Sequence, residues 1–220
     1  MKKLTFRYSA MNAGKTRNLI GTYYNYRELG LIPIIVTPDI IKDNLVVSRD
    51  GQSIPSIPFS KIDEHLKSDV ILVDEGHMLS KNEVLKLSEI TIKYDIPIIV
   101  YGLRTDYKGD VFEGSMYLLG IADSLEELPT LCSCGKKARM NLRLIDGKVD
   151  KSNDSRLRLR EEEDISYISM CRECYYKIMN DIKDIKDINE DLSLISLITL
   201  SNLKKTASEI GCCFLLKLIV

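Results

Sequence analysis

The chain has 220 residues, 45% of them hydrophobic, enough for the core of one ordinary domain and a smaller appendage. Its 31 Lys and Arg nearly cancel its 32 Asp and Glu, which excludes the global electrostatic pull of a nucleic-acid or membrane-surface protein. The charged start is followed by no apolar stretch of signal-peptide length, and no run approaches a membrane span, so a cytoplasmic protein without membrane or nucleic-acid partners is expected.

Residues 4 to 8 form a short apolar and aromatic strand, and a small-residue turn leads from them into a helix from Arg17 to Leu29, stopped by Gly30. The turn, Ser9-Ala10-Met11-Asn12-Ala13-Gly14-Lys15-Thr16, fits the phosphate-binding loop G-x-x-x-x-G-K-[ST] at every defined position but the first, where Ser9 replaces Gly. The strand before and the helix after are the context that motif requires. Backbone amides and the helix N-terminus would cradle phosphates, Lys15 would bridge the β and γ oxygens of ATP, and the Thr16 hydroxyl would ligate Mg²⁺. A capped turn with an incidental Gly-Lys-Thr is the bland alternative. On the helix, Tyr23, Tyr24 and Tyr26 read as packing or subunit-contact residues.

Three β-branched runs follow, Ile34 to Val36, Val70 to Val73 and Ile96 to Tyr101, apolar on both faces as in a parallel sheet covered by helices. The second delivers Asp74 and Glu75 to its C-terminal end, the edge where ligands bind in open α/β sheets. Asp74 is the candidate for the outer shell of magnesium, and Glu75 for a general base toward an attacking hydroxyl. A solvated strand end is the alternative. Ser80 and Glu83 carry a capping-box signature that opens a helix to about Tyr94. His65 reads as a surface residue and His77 as at most a pocket wall. Alternating strands and helices predict an open α/β sheet with crossover helices.

The texture changes near Leu128-Pro129. Cys132-x-Cys134 and Cys171-x-x-Cys174 supply four thiols near the spacing of a structural zinc site, although the first pair is a residue tighter than usual. Either Cys132 bends in or another donor replaces it, and free buried cysteines are the alternative. Between the pairs, Arg156 to Arg160 alternates like a strand, so the segment reads as a small β module that needs a metal staple. The tail after Asn180 begins with Ile182, Ile185 and Ile188 at helical spacing and ends in an apolar run, Phe214 to Val220, too short to span a bilayer.

Phe6 to Gly30, Val73-Asp74-Glu75-Gly76, Tyr101 to Tyr107 with Phe112, and the cysteine module resemble, in collinear order over roughly residues 4 to 178, the type II thymidine kinases of bacteria, animals and poxviruses. Several bacterial members share the Ser in the loop and the tight Cys-x-Cys. The resemblance implies that Glu75 is the catalytic base and that Met11, Leu103, Tyr107, Phe112 and Tyr167 enclose the thymine ring. Arg143 matches a basic residue near the site, and Asn141 falls where a small polar or β-branched residue lines the pocket. It further implies ATP with Mg²⁺, structural Zn²⁺, a homotetramer and feedback inhibition by dTTP. One departure concerns the lasso loop, which in the family usually carries Gly-Gly before the tyrosine. Here it reads Arg160-Glu161-Glu162-Glu163-Asp164-Ile165-Ser166-Tyr167, so the four acids are expected to turn outward and leave the grip to Ile165 and Tyr167.

The expected architecture is a P-loop, RecA-like α/β domain over residues 1–128, a zinc-ribbon and lasso-loop lid over 129–178, and a helical tail over 179–220. The expected activity is transfer of the γ-phosphate of ATP to the 5′-hydroxyl of thymidine, and of deoxyuridine, in nucleotide salvage. The alternative is a P-loop ATPase whose zinc module binds nucleic acid or protein. The aromatic set Tyr107, Phe112 and Tyr167, which a water-activating ATPase does not need, argues against it.

Overall fold

A computed structural model describes residues 3–151 and 165–181. Two compact units divide the chain, Met1–Tyr175 and Tyr176–Val220. The strand expected over Arg156 to Arg160, the acids Glu161 to Asp164 and the tail beyond Asp181 lie outside the described residues.

Six parallel strands form the main sheet. They are β1 (Leu4–Ser9), β2 (Pro33–Thr37), β5 (Ile57–Pro58), β6 (Val70–Val73), β7 (Ile98–Leu103) and β8 (Ser124–Glu127), in the order β5-β2-β6-β7-β1-β8. A two-stranded hairpin, β3 (Leu45–Val47) with β4 (Ser53–Pro55), and a three-stranded antiparallel sheet, β9 (Met140–Ile145), β10 (Lys148–Val149) and β11 (Ile165–Met170), complete the strands. The helices are α1 (Lys15–Glu28), α2 (Lys81–Tyr94), α3 (Glu113–Ile121) and α4 (Arg172–Asp181).

The four strands expected between residues 4 and 101 are present with small shifts. β7 begins at Ile98 rather than Ile96 because Pro97 has no N–H to give the ladder. α1 begins already at Lys15, directly after Gly14, whose φ of 72° makes the turn. The capping box at Ser80 and Glu83 is formed in full.

Alternation along each strand builds two cores. Ile71 and Val73 of β6 join Phe6, Ile98 and Val100 under α2 and α3, which supply Val84, Leu87, Ile90 and Leu118. Val70 and Leu72 point the other way, to Leu19 and Ile20 of α1 and to Val46 and Ile54 of the hairpin. Both sheet faces are thus covered, which is why the strands read as unbroken apolar runs rather than alternating ones.

The hairpin, α3 and β8 are not legible as sequence patterns. α3 carries Gly114 and Gly120, poor helix formers, and the structure shows what Gly114 is for. A Cβ there would sit 2.6 Å from the carbonyl oxygens of Gly76 and Leu79. α3 therefore rests directly on the backbone that follows Glu75. Gly114→Ala is expected to destabilise the fold by about 1–3 kcal/mol, measured as a lower urea midpoint at unchanged slope. An unchanged midpoint would show that the contact yields freely.

Candidate active site

The order β6-β7-β1 places three parallel strands side by side, so their C-terminal ends share one edge. Pairing of Ser9 with Leu103 and of Val73 with Val100 brings the turn after β1, the end of β7 and the pair Asp74-Glu75 to one level. Met11, Asn12, Gly14, Lys15, Thr16, Glu75 and Leu103 line a single cavity of about 540 Å³ there. Its far wall is the hairpin turn, with Ser48, Arg49 and Asp50, which the sequence reading missed. Arg17 binds Asp50 at 2.7 Å and ties this turn to the start of α1. A lone Ser-Arg-Asp in a loop carries no motif, so only its position identifies it.

Asn12 and Gly14 both have left-handed backbone, with φ of 61° and 72°, which folds the turn between β1 and α1. Lys15 Nζ donates to Ser9 Oγ and to the Ala10 carbonyl, both at 3.3 Å. Burial pushes the Lys15 amine down, and the nearby carboxylates of Glu75 and Asp74 oppose that push. Asp74 is only 5% exposed. Burial, with the charge of Glu75 beside it, pushes Asp74 up to about 7, while Lys15 and the Thr16 hydroxyl pull the other way. Its Oδ1 has no hydrogen-bond partner among the described residues. A buried, unsatisfied carboxylate oxygen next to the Thr16 hydroxyl is a donor set that fits a hard cation such as Mg²⁺.

The antiparallel sheet grips the turn from outside. The Met11 N–H donates to Asn141 Oδ1 at 2.8 Å, Ser169 Oγ donates to the Met11 carbonyl at 2.5 Å, and Asn12 Nδ2 donates to the Tyr167 carbonyl at 3.2 Å. Asn141, 2% exposed, also donates through Nδ2 to the Thr105 carbonyl. It thereby joins the loop after β1 to the loop after β7. Ser169 escaped the sequence reading because nothing in its neighbourhood on the chain marks it.

Tyr107, Phe112 and Tyr167 are not among the residues that line this cavity. Tyr107 is 5% exposed, its ring lies 3.7 Å from the Arg143 guanidinium, and its hydroxyl accepts from Arg143 Nη2 at 2.9 Å. Arg143 is in turn paired with buried Asp150. Phe112 stacks edge-on against His77 at 4.5 Å between ring centres. Tyr167 is half-buried on β11.

The sulfur atoms of Cys132, Cys134, Cys171 and Cys174 all lie within 4.8 Å of one another, with Cys134 and Cys171 at 3.6 Å. A tetrahedral thiolate zinc site has edges of about 3.8 Å for Zn–S bonds of about 2.3 Å. The cluster therefore fits Zn²⁺, and the tight first pair bends in without a substitute donor. Metal analysis is expected to find about one zinc per chain, and Cys171→Ser to lower Tm by several degrees, because site formation is coupled to folding. Metal-free protein of full stability would show that the thiols are merely packed.

A family model described as thymidine kinase matches residues 2–175. The chain belongs to the thymidine kinase family. The thymidine kinase of Haemophilus influenzae is 42% identical over 189 residues, spanning 80% of this chain and 96% of that one. That of Zymomonas mobilis subsp. mobilis is 37% identical over 195 residues, spanning 83% of this chain and all of that one. Among solved structures, Bacteroides Pif1 bound to ssDNA aligns with a TM-score of 0.33 at 13% identity, covering 57% of this chain and 38% of that one. At that distance the likeness carries no argument. Among the described residues of this family member, no helix is long and apolar enough to cross a membrane.

Proposed function

We propose that this chain transfers the γ-phosphate of ATP to the 5′-hydroxyl of thymidine, giving dTMP, with Glu75 as general base and the turn Ser9 to Thr16 as the phosphate-binding loop. Family membership supports the reaction. The observation that carries the assignment of residues is the shared cavity. Gly14, Lys15 and Thr16 open on the same space as Glu75 and Leu103, so a triphosphate and an acceptor hydroxyl can meet inside it.

In this reading the loop amides and Lys15 hold the β and γ phosphates, and Lys15 stays in place as charge develops on the bridging oxygen. Bound Mg²⁺, held by the Thr16 hydroxyl and through Asp74, would neutralise phosphate charge. Glu75 accepts the 5′-hydroxyl proton as that oxygen attacks the γ-phosphorus, and ADP departs. Leu103, Met11, Phe112, Tyr107 and Tyr167 form the apolar and aromatic slot that a neutral nucleoside needs. Arg143 holds the Tyr107 ring from behind, and Asn141 fixes the Met11 backbone at the slot's edge.

The body up to residue 128 supplies phosphate handling and the base, while the cysteine-bearing segment from 129 supplies the nucleoside lid. Zinc at the four thiols braces that segment. Assembly as a homotetramer and inhibition by dTTP belong to the same proposal through the family resemblance. The test is a coupled ADP-release assay with ATP, Mg²⁺ and each natural nucleoside. Turnover with thymidine and deoxyuridine, and none without an acceptor, is expected. ATP hydrolysis independent of any nucleoside would overturn it.

Tyr167 tests the slot. Base stacking on an aromatic ring is worth on the order of 1–3 kcal/mol, so Tyr167→Ala is expected to raise the thymidine KM roughly 5-fold to 150-fold with the ATP KM little changed. Unchanged kinetics would move the nucleoside elsewhere.

A further inference from the structure

We propose that His77 is a positioning residue for Glu75, seating its carboxyl group where the acceptor hydroxyl arrives. The inference rests on Glu75 being the base of the reaction proposed above. The His77 side chain is buried, and its Nδ1 lies 3.3 Å from Glu75 Oε2. The Leu103 backbone N–H points at the same nitrogen from 3.4 Å, and the Phe112 ring meets the imidazole edge-on. One ring therefore touches the end of β6, the end of β7 and the start of α3. Two of its neighbours, Leu103 and Phe112, are walls of the proposed nucleoside slot.

Glu75 needs such a seat. It is a non-glycine residue with φ of 50°, a strained conformation that persists only where the surroundings over-determine it. Backbone packing fixes the main chain here, since a Cβ on Gly76 would fall 2.1 Å from Val100 Cγ1. That packing leaves the side-chain torsions of Glu75 open. A half-exposed carboxylate with three rotatable bonds spends little time in one geometry unless a rigid neighbour holds it.

His77 suits the task chemically. Burial pushes it down to about 4 against the opposing pull of Glu75, so it is neutral at pH 7. A neutral imidazole offers an N–H on one nitrogen and a lone pair on the other. Toward the carboxylate it presents Nδ1–H. When Glu75 takes the hydroxyl proton on its other carboxyl oxygen, Nδ1–H still holds Oε2, so the seat survives the proton transfer. The 3.3 Å separation is within reach of both forms.

The experiment compares steady-state kinetics of wild type, Glu75→Gln, His77→Leu, His77→Asn and the double variant Glu75→Gln/His77→Leu. Leu fills most of the ring's space without a polar atom, and Asn places an amide near the position of Nδ1. The expected result is a fall in kcat of roughly 10-fold or more for His77→Leu, with both KM values little changed. His77→Asn should retain most of the wild-type kcat. The double variant should be no slower than Glu75→Gln alone, because a residue acting through Glu75 has nothing left to position. Should His77→Leu fail to fold, the more adaptable His77→Met takes its place.

Full kcat in a folded His77→Leu protein would overturn the proposal. So would His77→Asn as slow as His77→Leu, or losses that multiply in the double variant. Full turnover in Glu75→Gln would remove the base assignment and the positioning role with it. A normal Glu75→Gln loss beside an unaffected His77→Leu would remove the positioning role alone.

Discussion

Glu75→Gln is expected to lower turnover by roughly 10²-fold or more while ATP binding survives. The amide keeps the size and planarity of the carboxylate but cannot take a proton, so the change removes the chemistry and leaves the shape. Glu75 sits on the turn after β6, not on the loop after β1, and the groups assigned to the phosphates are untouched. The loss should therefore fall on kcat, with the ATP KM close to wild type. Turnover within a few-fold of wild type would take the role of base away from Glu75.

Lys15→Ala should fail differently. In the proposed reaction Lys15 would supply positive charge where the triphosphate gains negative charge, in a half-buried position where such charge is less screened than in water. Turnover should drop by roughly 10²–10³-fold, and ATP binding should weaken as well. Its Nζ donates to Ser9 Oγ and to the Ala10 carbonyl through two long contacts of 3.3 Å, so little would hold it back from a phosphate. Combined loss of kcat and ATP affinity in Lys15→Ala, against loss of kcat alone in Glu75→Gln, separates the phosphate site from the base. Wild-type kinetics in Lys15→Ala would end the phosphate-loop reading.

Much of this site is written locally in the chain. A phosphate-loop motif between a strand and a helix, and a buried strand ending in Asp74-Glu75, are contiguous patterns, because the backbone of a short loop must be built from neighbouring residues. The paired cysteines and the Ser80 capping box belong to the same class. Sequence by itself therefore determined the parallel α/β character, the candidate base, the candidate phosphate loop and the four thiols.

Other features depend on partners distant along the chain. That Asn141 and Ser169 hold the backbone of Met11 is a contact across more than a hundred residues. That the Ser48 to Asp50 turn walls the cavity beside Lys15 follows from where the hairpin folds back, not from its composition. α3 was hidden because its glycines lower helix propensity, and only the approach of its backbone to Gly76 and Leu79 explains them. His77 reads in sequence as a lone histidine. Its place between Glu75, Leu103 and Phe112 exists only once β6, β7 and α3 are packed, because a side chain's role is set by what the tertiary fold puts beside it.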